Sequence, residues 1–173
     1  MIRKATAQDI DAIAAIYDAI LTKEEQSPVT VVGWLRGVYP TAQTARDSLQ
    51  LGELYVMEED GRVVAAAKIN QEQVPEYVDC HWQYDAPPEQ VLVIHTLVVD
   101  PAVQGRGYAT QFVAFYEEMA RQMNCPYLRM DTNAHNKPAR ALYKRLGYTE
   151  PGIVDCVFNG IPGVHLVCLE KKL

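Results

Sequence analysis

The stretch Leu97-Val-Val-Asp-Pro-Ala-Val-Gln-Gly-Arg-Gly-Tyr-Ala-Thr110 decides the fold, because it joins a strand to a helix through a glycine loop. A run of β-branched residues ends at Asp100-Pro101, and Gly105 and Gly107 follow in a short polar turn. Aromatic and methionine residues then recur at spacings of three and four, which is typical of an amphipathic helix. The order predicts a strand, a loop and a helix, with both glycines at the helix N-terminus.

A loop of this kind is suited to binding a phosphate or pyrophosphate group. The first N–H groups of a helix lack intrahelical acceptors and lie at the positive end of the peptide dipoles. Glycine has no Cβ, so its backbone can approach a ligand closely. Two other phosphate motifs do not fit: the P-loop run Gly-x4-Gly-Lys-Ser/Thr is absent, and the dinucleotide pattern needs a small residue where Thr110 stands. We therefore expect an anion site at residues 104–110.

A second segment, from Asn133 to Tyr148, predicts another helix further along the chain. Asn136 is a good N-cap residue, and Gly147 is positioned to end the helix. A strand over residues 126–131 is expected between this helix and the one that follows the glycine loop. The sequence thus predicts a strand and helix unit directly after the anion site.

These two segments resemble the GNAT superfamily of N-acetyltransferases. The superfamily pattern Gln/Arg-x-x-Gly-x-Gly/Ala, which binds the pyrophosphate of acetyl-coenzyme A (acetyl-CoA), occurs here over residues 104–109. The usual second cofactor segment, Asn-x-x-Ala-x-x-Leu-Tyr-x-x-x-Gly-Phe/Tyr, matches residues 136–148. The two motifs stand in the expected order, and the specific resemblance covers about residues 91–150.

The resemblance implies an α/β (α+β) fold with a mixed, mostly antiparallel central sheet flanked by helices. Two splayed parallel strands, 91–99 and 126–131, are expected to hold the cofactor between them. The element order expected from the sequence, β-α-α-β-β-β-α-β-α-β-β, agrees with this fold. The chain, residues 1–173, is expected to form one domain. A long loop over residues 70–90 is expected to be functional.

The implied function is transfer of the acetyl group of acetyl-CoA to a primary amine on a small molecule or a protein. A non-catalytic acyl-CoA-binding module and a nucleotide-binding protein are the alternatives. The resemblance assigns cofactor contacts to the end of the first strand, the glycine loop and the second helix. These residues are Leu97, Val98, Val99, Gln104, Gly105, Arg106, Gly107, Tyr108, Ala109, Thr110, Asn136 and Tyr143.

Tyr143 is the candidate for the catalytic acid that protonates the departing thiolate. A phenol titrates at about 10 and a thiol at about 8.5, so a tyrosine is protonated at neutral pH. Leu142 and Leu146 are expected to form the buried stripe of the helix, which leaves Tyr143 at its edge. Backbone N–H groups at the end of strand 91–99 are expected to polarise the thioester carbonyl.

Several residues are candidates for the general base. His95 lies inside strand 91–99 and has an imidazole that can accept a proton from an ammonium group. A structural, hydrogen-bonded histidine is the alternative, because a bulge would change the face that His95 occupies. His81, Glu76 and Asp131 are further candidates, and a chain of water molecules can also serve.

The acceptor groove is expected among aromatic residues, whose rings attract an alkylammonium group by cation–π interaction. The substrate-binding candidates are Trp34, Tyr39, His81 and Trp82, together with Tyr84.

Composition narrows the partners and the compartment. The net charge of −6 argues against nucleic acid, and no apolar run is long enough for a membrane span. The first residues lack the apolar stretch of a secretory signal, so a cytoplasmic protein is expected. The four cysteines and the scattered histidines show no metal-ligand spacing, so no metal is expected. Homodimers are common among similar proteins, and the sequence leaves the oligomeric state open.

Overall fold

A computed structural model describes all residues, 1–173, and shows the expected order of strands and helices. The strands are β1 (Ile2–Lys4), β2 (Leu54–Glu59), β3 (Arg62–Asn70), β4 (Val91–Val99), β5 (Tyr127–Asn133), β6 (Thr149–Phe158) and β7 (Ile161–Lys172). The helices are α1 (Ile10–Gln26), α2 (Ala42–Gln50), α3 (Tyr108–Gln122) and α4 (Lys137–Arg145). Single turns of 3-10 helix lie in the connections.

The strands form one seven-stranded sheet in the order β1-β2-β3-β4-β5-β7-β6. Neighbouring strands are antiparallel except β4 and β5, which are parallel. This parallel pair is the one that the glycine loop and α3 connect, because parallel neighbours need a crossover. The expected mixed, mostly antiparallel sheet is therefore confirmed.

Helices cover both faces of the sheet. The apolar stripe of α1, with Ile13 and Tyr17 buried, packs on one face of β2 and β3. On the other face, Phe112 and Tyr116 of α3 are fully buried in the largest apolar cluster, which also contains Tyr143 of α4. None of the four helices combines the length and hydrophobicity that a bilayer crossing requires.

The parallel strands β4 and β5 separate soon after they begin. They pair from Val91 opposite Tyr127 to Val93 opposite Arg129, and no pairing follows. Beyond this point β4 remains paired with β3, and β5 remains paired with β7 as far as Asn133. The sheet consequently opens into a fork between β4 and β5, as the family resemblance implied.

Two features accompany the fork. The buried hydroxyl of Tyr116 lies at its base, 2.6 Å from the carbonyl oxygen of Leu92 and 3.1 Å from that of Arg129. Further along β4, Thr96 has a φ of +52°, and the register with β3 slips by one residue there. This is a β-bulge, which bends the strand and reverses the faces of the residues after it.

We predict that Tyr116→Phe destabilises the protein by about 1–2 kcal/mol, because two buried carbonyl groups lose their phenol donor. Urea unfolding followed by circular dichroism measures the change. Tyr127→Phe is the matched control, since no hydrogen bond of the Tyr127 hydroxyl is present and its loss is expected to cost little. Equal effects of the two substitutions would contradict the structural role of Tyr116.

Candidate active site

The fork between β4 and β5 opens into a cavity of about 680 Å³. Its wall is built from α1, β4, the glycine loop, β5, α4 and the turn between β6 and β7. The volume lies in the range of small-molecule sites, and most of the lining side chains are apolar. Residues from both faces of the sheet line the cavity, since Tyr143 comes from the α4 side and Trp34 from the α1 side.

The glycine loop forms one end of the cavity. Gly105 and Gly107 have φ values of +84° and +79°, and a Cβ added at either would meet no atom within 4 Å. None of the backbone N–H groups from residues 104 to 110 donates to a protein acceptor. The loop therefore presents a row of free donors at the N-terminus of α3, where the peptide dipoles add a positive potential. These are the properties that a pyrophosphate site requires.

The outer half of β4 forms the floor of the cavity next to this loop. Leu97, Val98 and Val99 line it, and their strand has no partner on the β5 side. Unpaired peptide groups on a strand edge can bond an extended ligand in the way a further strand would. The geometry thus offers a second set of backbone contacts in the same cavity as the glycine loop.

Helix α4 supplies Asn136 and Tyr143 to the same cavity. Asn136 caps the helix, since its side-chain oxygen accepts the Ala139 N–H at 3.2 Å. Leu142 and Leu146 are partly buried and pack against the largest apolar cluster, as expected, but Tyr143 is more deeply buried than either of them. Burial raises the pKa of the Tyr143 phenol above its ordinary value, and the charge of Asp131 adds to the rise.

The structure brings most of the predicted site residues to one cavity. Cavity-lining residues among them are Leu97, Val98, Val99, Gln104, Gly105, Gly107, Tyr108, Ala109, Thr110, Asn136, Tyr143, Trp34 and Tyr39. Six predicted residues do not line it: Arg106, His95, Glu76, His81, Trp82 and Tyr84.

His95 precedes the bulge and lies under the loop that follows β3. Its Nε2 is 2.9 Å from the side-chain oxygen of Asn70. Burial lowers the pKa of His95 to about 4, and the nearby charge of Lys68 contributes. An imidazole with this pKa is a weak base, and it faces a different part of the molecule from the cavity.

Trp82 packs in the interior of the 71–90 loop and does not line the cavity. Its ring lies 4.1 Å from the guanidinium carbon of the buried Arg129, and its indole N–H donates to the Tyr77 carbonyl at 2.9 Å. Arg129 also donates to the Tyr84 carbonyl at 2.8 Å, and the Tyr84 N–H donates to Glu170 at 3.1 Å. These contacts attach the 71–90 loop to β5 and β7. His81, in the same loop, is exposed.

The 71–90 loop, held by these contacts, places Tyr77 beside the fork. The Tyr77 hydroxyl donates to Oδ2 of Asp131 at 2.6 Å, and Asp131 lines the cavity from β5. Burial raises the pKa of the Asp131 carboxyl to about 6; the Tyr77 hydrogen bond opposes this rise and the charge of Glu76 adds to it. The pairing joins residues far apart in the chain, so no local pattern could have indicated it.

A second contact that the sequence did not reveal closes the α1 side of the cavity. The carboxylate of Glu24 accepts the N–H groups of Val31, Val32 and Gly33 at 2.9–3.2 Å. Gly33 has a φ of +71°, and a Cβ at this position would stand 2.4 Å from Nδ2 of Asn133 at the end of β5. Glu24 therefore fixes the segment that carries Trp34 against the mouth of the fork.

A forked sheet with a donor-rich glycine loop at one end defines the structural class of this protein. The family model described as "Acetyltransferase (GNAT) family" matches residues 16–148. The chain belongs to this family, and the resemblance seen in its sequence is confirmed.

Curated relatives match parts of the chain. An uncharacterized N-acetyltransferase, YycN, of Bacillus subtilis is 29% identical over 87 residues, which are 50% of this chain and 55% of the relative. An uncharacterized N-acetyltransferase of Methanocaldococcus jannaschii, MJ1207, is 33% identical over 76 residues, or 44% of this chain and 34% of the relative. The matches thus span about half or less of each relative's length.

Solved structures share the fold over the full chain. A GNAT family acetyltransferase from Streptococcus agalactiae has a TM-score of 0.80 at 23% identity, with 100% of this chain and 95% of that chain covered. The protein yncA from Salmonella typhimurium, whose structure was solved with acetyl-CoA, has a TM-score of 0.69 at 20% identity, with 100% of this chain and 93% of that chain covered. These similarities establish the fold.

We predict that Gly33→Ala destabilises the protein more than Gly37→Ala does. Both glycines have positive φ, which costs an alanine about 1 kcal/mol, but a Cβ at Gly37 meets nothing within 4 Å. Overpacking against Asn133 is expected to add about 1–3 kcal/mol at Gly33. Chemical denaturation measures both variants, and equal losses would show that the contact with Asn133 is not tight.

Proposed function

We propose that the protein transfers the acetyl group of acetyl-CoA to a primary amine. The observation that carries the proposal is that the free backbone donors of the glycine loop, the unpaired edge of β4 and Tyr143 all line one cavity. Family membership supports the same chemistry.

The residues present fit acetyl-CoA. The free N–H groups of residues 104–110 suit its pyrophosphate, and the unpaired edge of β4 suits the amide groups of its pantetheine arm. Asn136 is near enough to the same groove to bond the arm as well as cap its helix. Arg106 belongs to the loop and can reach an outer phosphate through its long side chain. When bound, acetyl-CoA supplies the activated acyl group.

Tyr143 is the proposed catalytic acid. Its phenol lies in the cavity wall, and its raised pKa keeps it protonated at neutral pH. A protonated phenol beside the sulfur can donate its proton as the C–S bond breaks, so that the thiolate does not leave as a free anion. Free N–H groups on β4 would stabilise negative charge on the thioester oxygen. His95 has no part in the proposal, since it does not line the cavity.

Isothermal titration calorimetry with coenzyme A and a free-thiol assay with acetyl-CoA and a panel of amines test the proposal. Binding and turnover are both expected. Binding without turnover of any amine would favour a non-catalytic acyl-CoA-binding module, and stabilisation by ATP or NAD alone would favour a nucleotide-binding protein.

We predict that Tyr143→Phe lowers turnover on the order of 100-fold, because the sulfur loses its proton donor. Calorimetry should show coenzyme A affinity unchanged within about threefold, which separates chemistry from binding. Tyr127→Phe, outside the cavity, is the matched control and should retain full turnover. Unchanged turnover of Tyr143→Phe would remove Tyr143 from the mechanism.

A further inference from the structure

Asp131 is a cavity carboxylate with one oxygen held and one oxygen free. Its Oδ2 accepts the Tyr77 hydroxyl at 2.6 Å, and Oδ1 has no hydrogen-bond partner in the protein. The side chain lines the cavity near the base of the fork, on the face of β5 that the 71–90 loop covers. Its free oxygen is thus available to a ligand inside the cavity.

No cation of the protein balances the charge of Asp131. The cations that line the cavity are Lys23 and Arg145; Lys23 donates to the side chain of Gln104 at 3.0 Å, at the glycine-loop end. No cation is among the groups that affect the pKa of Asp131. The titratable groups that face it are Tyr39, Glu76, Tyr77, Tyr143, Cys156 and Cys168. A carboxylate in such surroundings attracts a cationic ligand.

We propose that Oδ1 of Asp131 binds the ammonium group of the acceptor and takes its proton, while Tyr77 holds the carboxylate in position. The inference rests on the proposed acetyl transfer and deepens it, since it names the base and the class of acceptor. Asp131 is the catalytic residue, and Tyr77 is a positioning residue.

The proton and bond changes balance without a further reactant. One N–H bond of the ammonium group breaks as its proton passes to Oδ1, and the neutral nitrogen forms a bond to the thioester carbon. The C–S bond breaks and the sulfur takes the phenolic proton of Tyr143. The nitrogen, which still carries two protons, then loses one of them to the Tyr143 phenolate, and this leaves a neutral amide and a restored phenol. The proton on Asp131 leaves to solvent with the product.

The surroundings of Asp131 indicate the class of acceptor. Trp34 and Tyr39 line this part of the cavity in edge-to-face contact, with ring centroids 5.9 Å apart, and Phe158 lines it from the β6–β7 turn. The Tyr39 hydroxyl is already bonded to Thr96, and burial raises its pKa to about 12, so it stays neutral. An acceptor with a primary ammonium group on an apolar or aromatic body fits, whereas a carboxylate on the amine-bearing carbon would find no cation among the groups that act on Asp131.

The structure also explains how Tyr77 is held. Its carbonyl accepts the indole N–H of Trp82, and the two rings are in contact with centroids 5.0 Å apart. Trp82 in turn lies on Arg129. The loop that covers the acceptor side is therefore rigidly linked to the orientation of the Asp131 carboxylate.

The first test compares Asp131→Asn with wild type on the best amine of the panel. Turnover is expected to fall on the order of 100-fold while coenzyme A affinity is unchanged. The lower limb of kcat/KM against pH, set by deprotonation of Asp131, should disappear, and activity of the variant should follow the neutral fraction of the amine. Asp79→Asn, which changes an exposed carboxylate of the 71–90 loop outside the cavity, is the matched control for charge and should keep both limbs.

A folding control accompanies this variant. Because the folded-state pKa of Asp131 is raised, its ionisation destabilises the fold, and stability falls as pH rises through about 6. Asp131→Asn is therefore expected to keep or raise the Tm at about pH 8 while losing activity. Lost activity with a lowered Tm would indicate misfolding, in which case Tyr77→Phe decides.

Tyr77→Phe removes the hydrogen bond that lowers the pKa of Asp131, so the lower limb of its pH profile should move to higher pH. A merely structural tyrosine would lower activity at every pH without moving the limb. An unmoved limb in this variant, or full activity of Asp131→Asn, would overturn the assignment.

The acceptor class is tested with 2-phenylethylamine, phenylalaninamide and phenylalanine, which share one aromatic body. The first two are expected to be acetylated, and phenylalanine at least tenfold less well, because only phenylalanine carries a carboxylate. A preference for phenylalanine would overturn the acceptor class. Failure of wild type to bind coenzyme A would instead overturn the proposed function, which keeps the two failures distinguishable.

Discussion

The loss of pairing between β4 and β5 beyond Val93 and Arg129 is the constraint on which the rest of the structure depends. Peptide groups inside a protein are almost always paired, because an unpaired buried group loses its hydrogen bonds to water without replacement. Here the ladder stops in the middle of the sheet and the Tyr116 hydroxyl satisfies the last carbonyl groups at the base of the fork. The groups beyond it face a cavity, where solvent or a ligand can bond them. The fork is thus both the place where the sheet is incomplete and the place where an extended ligand can complete it.

Local sequence signals predicted the structure of the glycine-loop side of this fork. The glycine loop, the N-cap at Asn136 and the strand before the loop each depend on neighbouring residues, so their conformations can be inferred from the chain alone. The bulge at Thr96 could not be inferred in this way, because a threonine at positive φ carries no local signal and the slip depends on pairing with β3. That slip decides which β4 side chains face the cavity, and this is why the orientation of His95 could not be predicted. The burial of Tyr143 could not be predicted for a related reason, since it depends on how α4 packs against the sheet and not on neighbouring residues.

The part of the cavity away from the glycine loop is assembled from contacts between distant parts of the chain. The Glu24 carboxylate accepts hydrogen bonds from the backbone N–H groups of residues 31–33. The Tyr77 hydroxyl donates to Asp131, which lies 54 residues further along the chain. An aromatic residue near an expected groove can either line it or support it, and sequence does not separate the two. Trp34 and Tyr39 line the cavity, whereas Trp82 lies on Arg129 and supports the loop.

The buried pair of Arg129 and Glu170 is best understood through the parts it orients. The side chains are 4.0 Å apart, and Nε of Arg129 and Oε2 of Glu170 have no hydrogen-bond partner. Burial lowers the pKa of Arg129 and raises that of Glu170, so the attraction between them does not fully offset their desolvation. A buried pair of this kind contributes little net stability compared with apolar residues of the same volume.

Both charged groups, however, form hydrogen bonds with the backbone of Tyr84. The Arg129 guanidinium also contacts the ring of Trp82, whose indole N–H donates to the Tyr77 carbonyl. A purely apolar contact would bury this loop as well but would not fix its register, and the direction of the Tyr77 hydroxyl depends on that register.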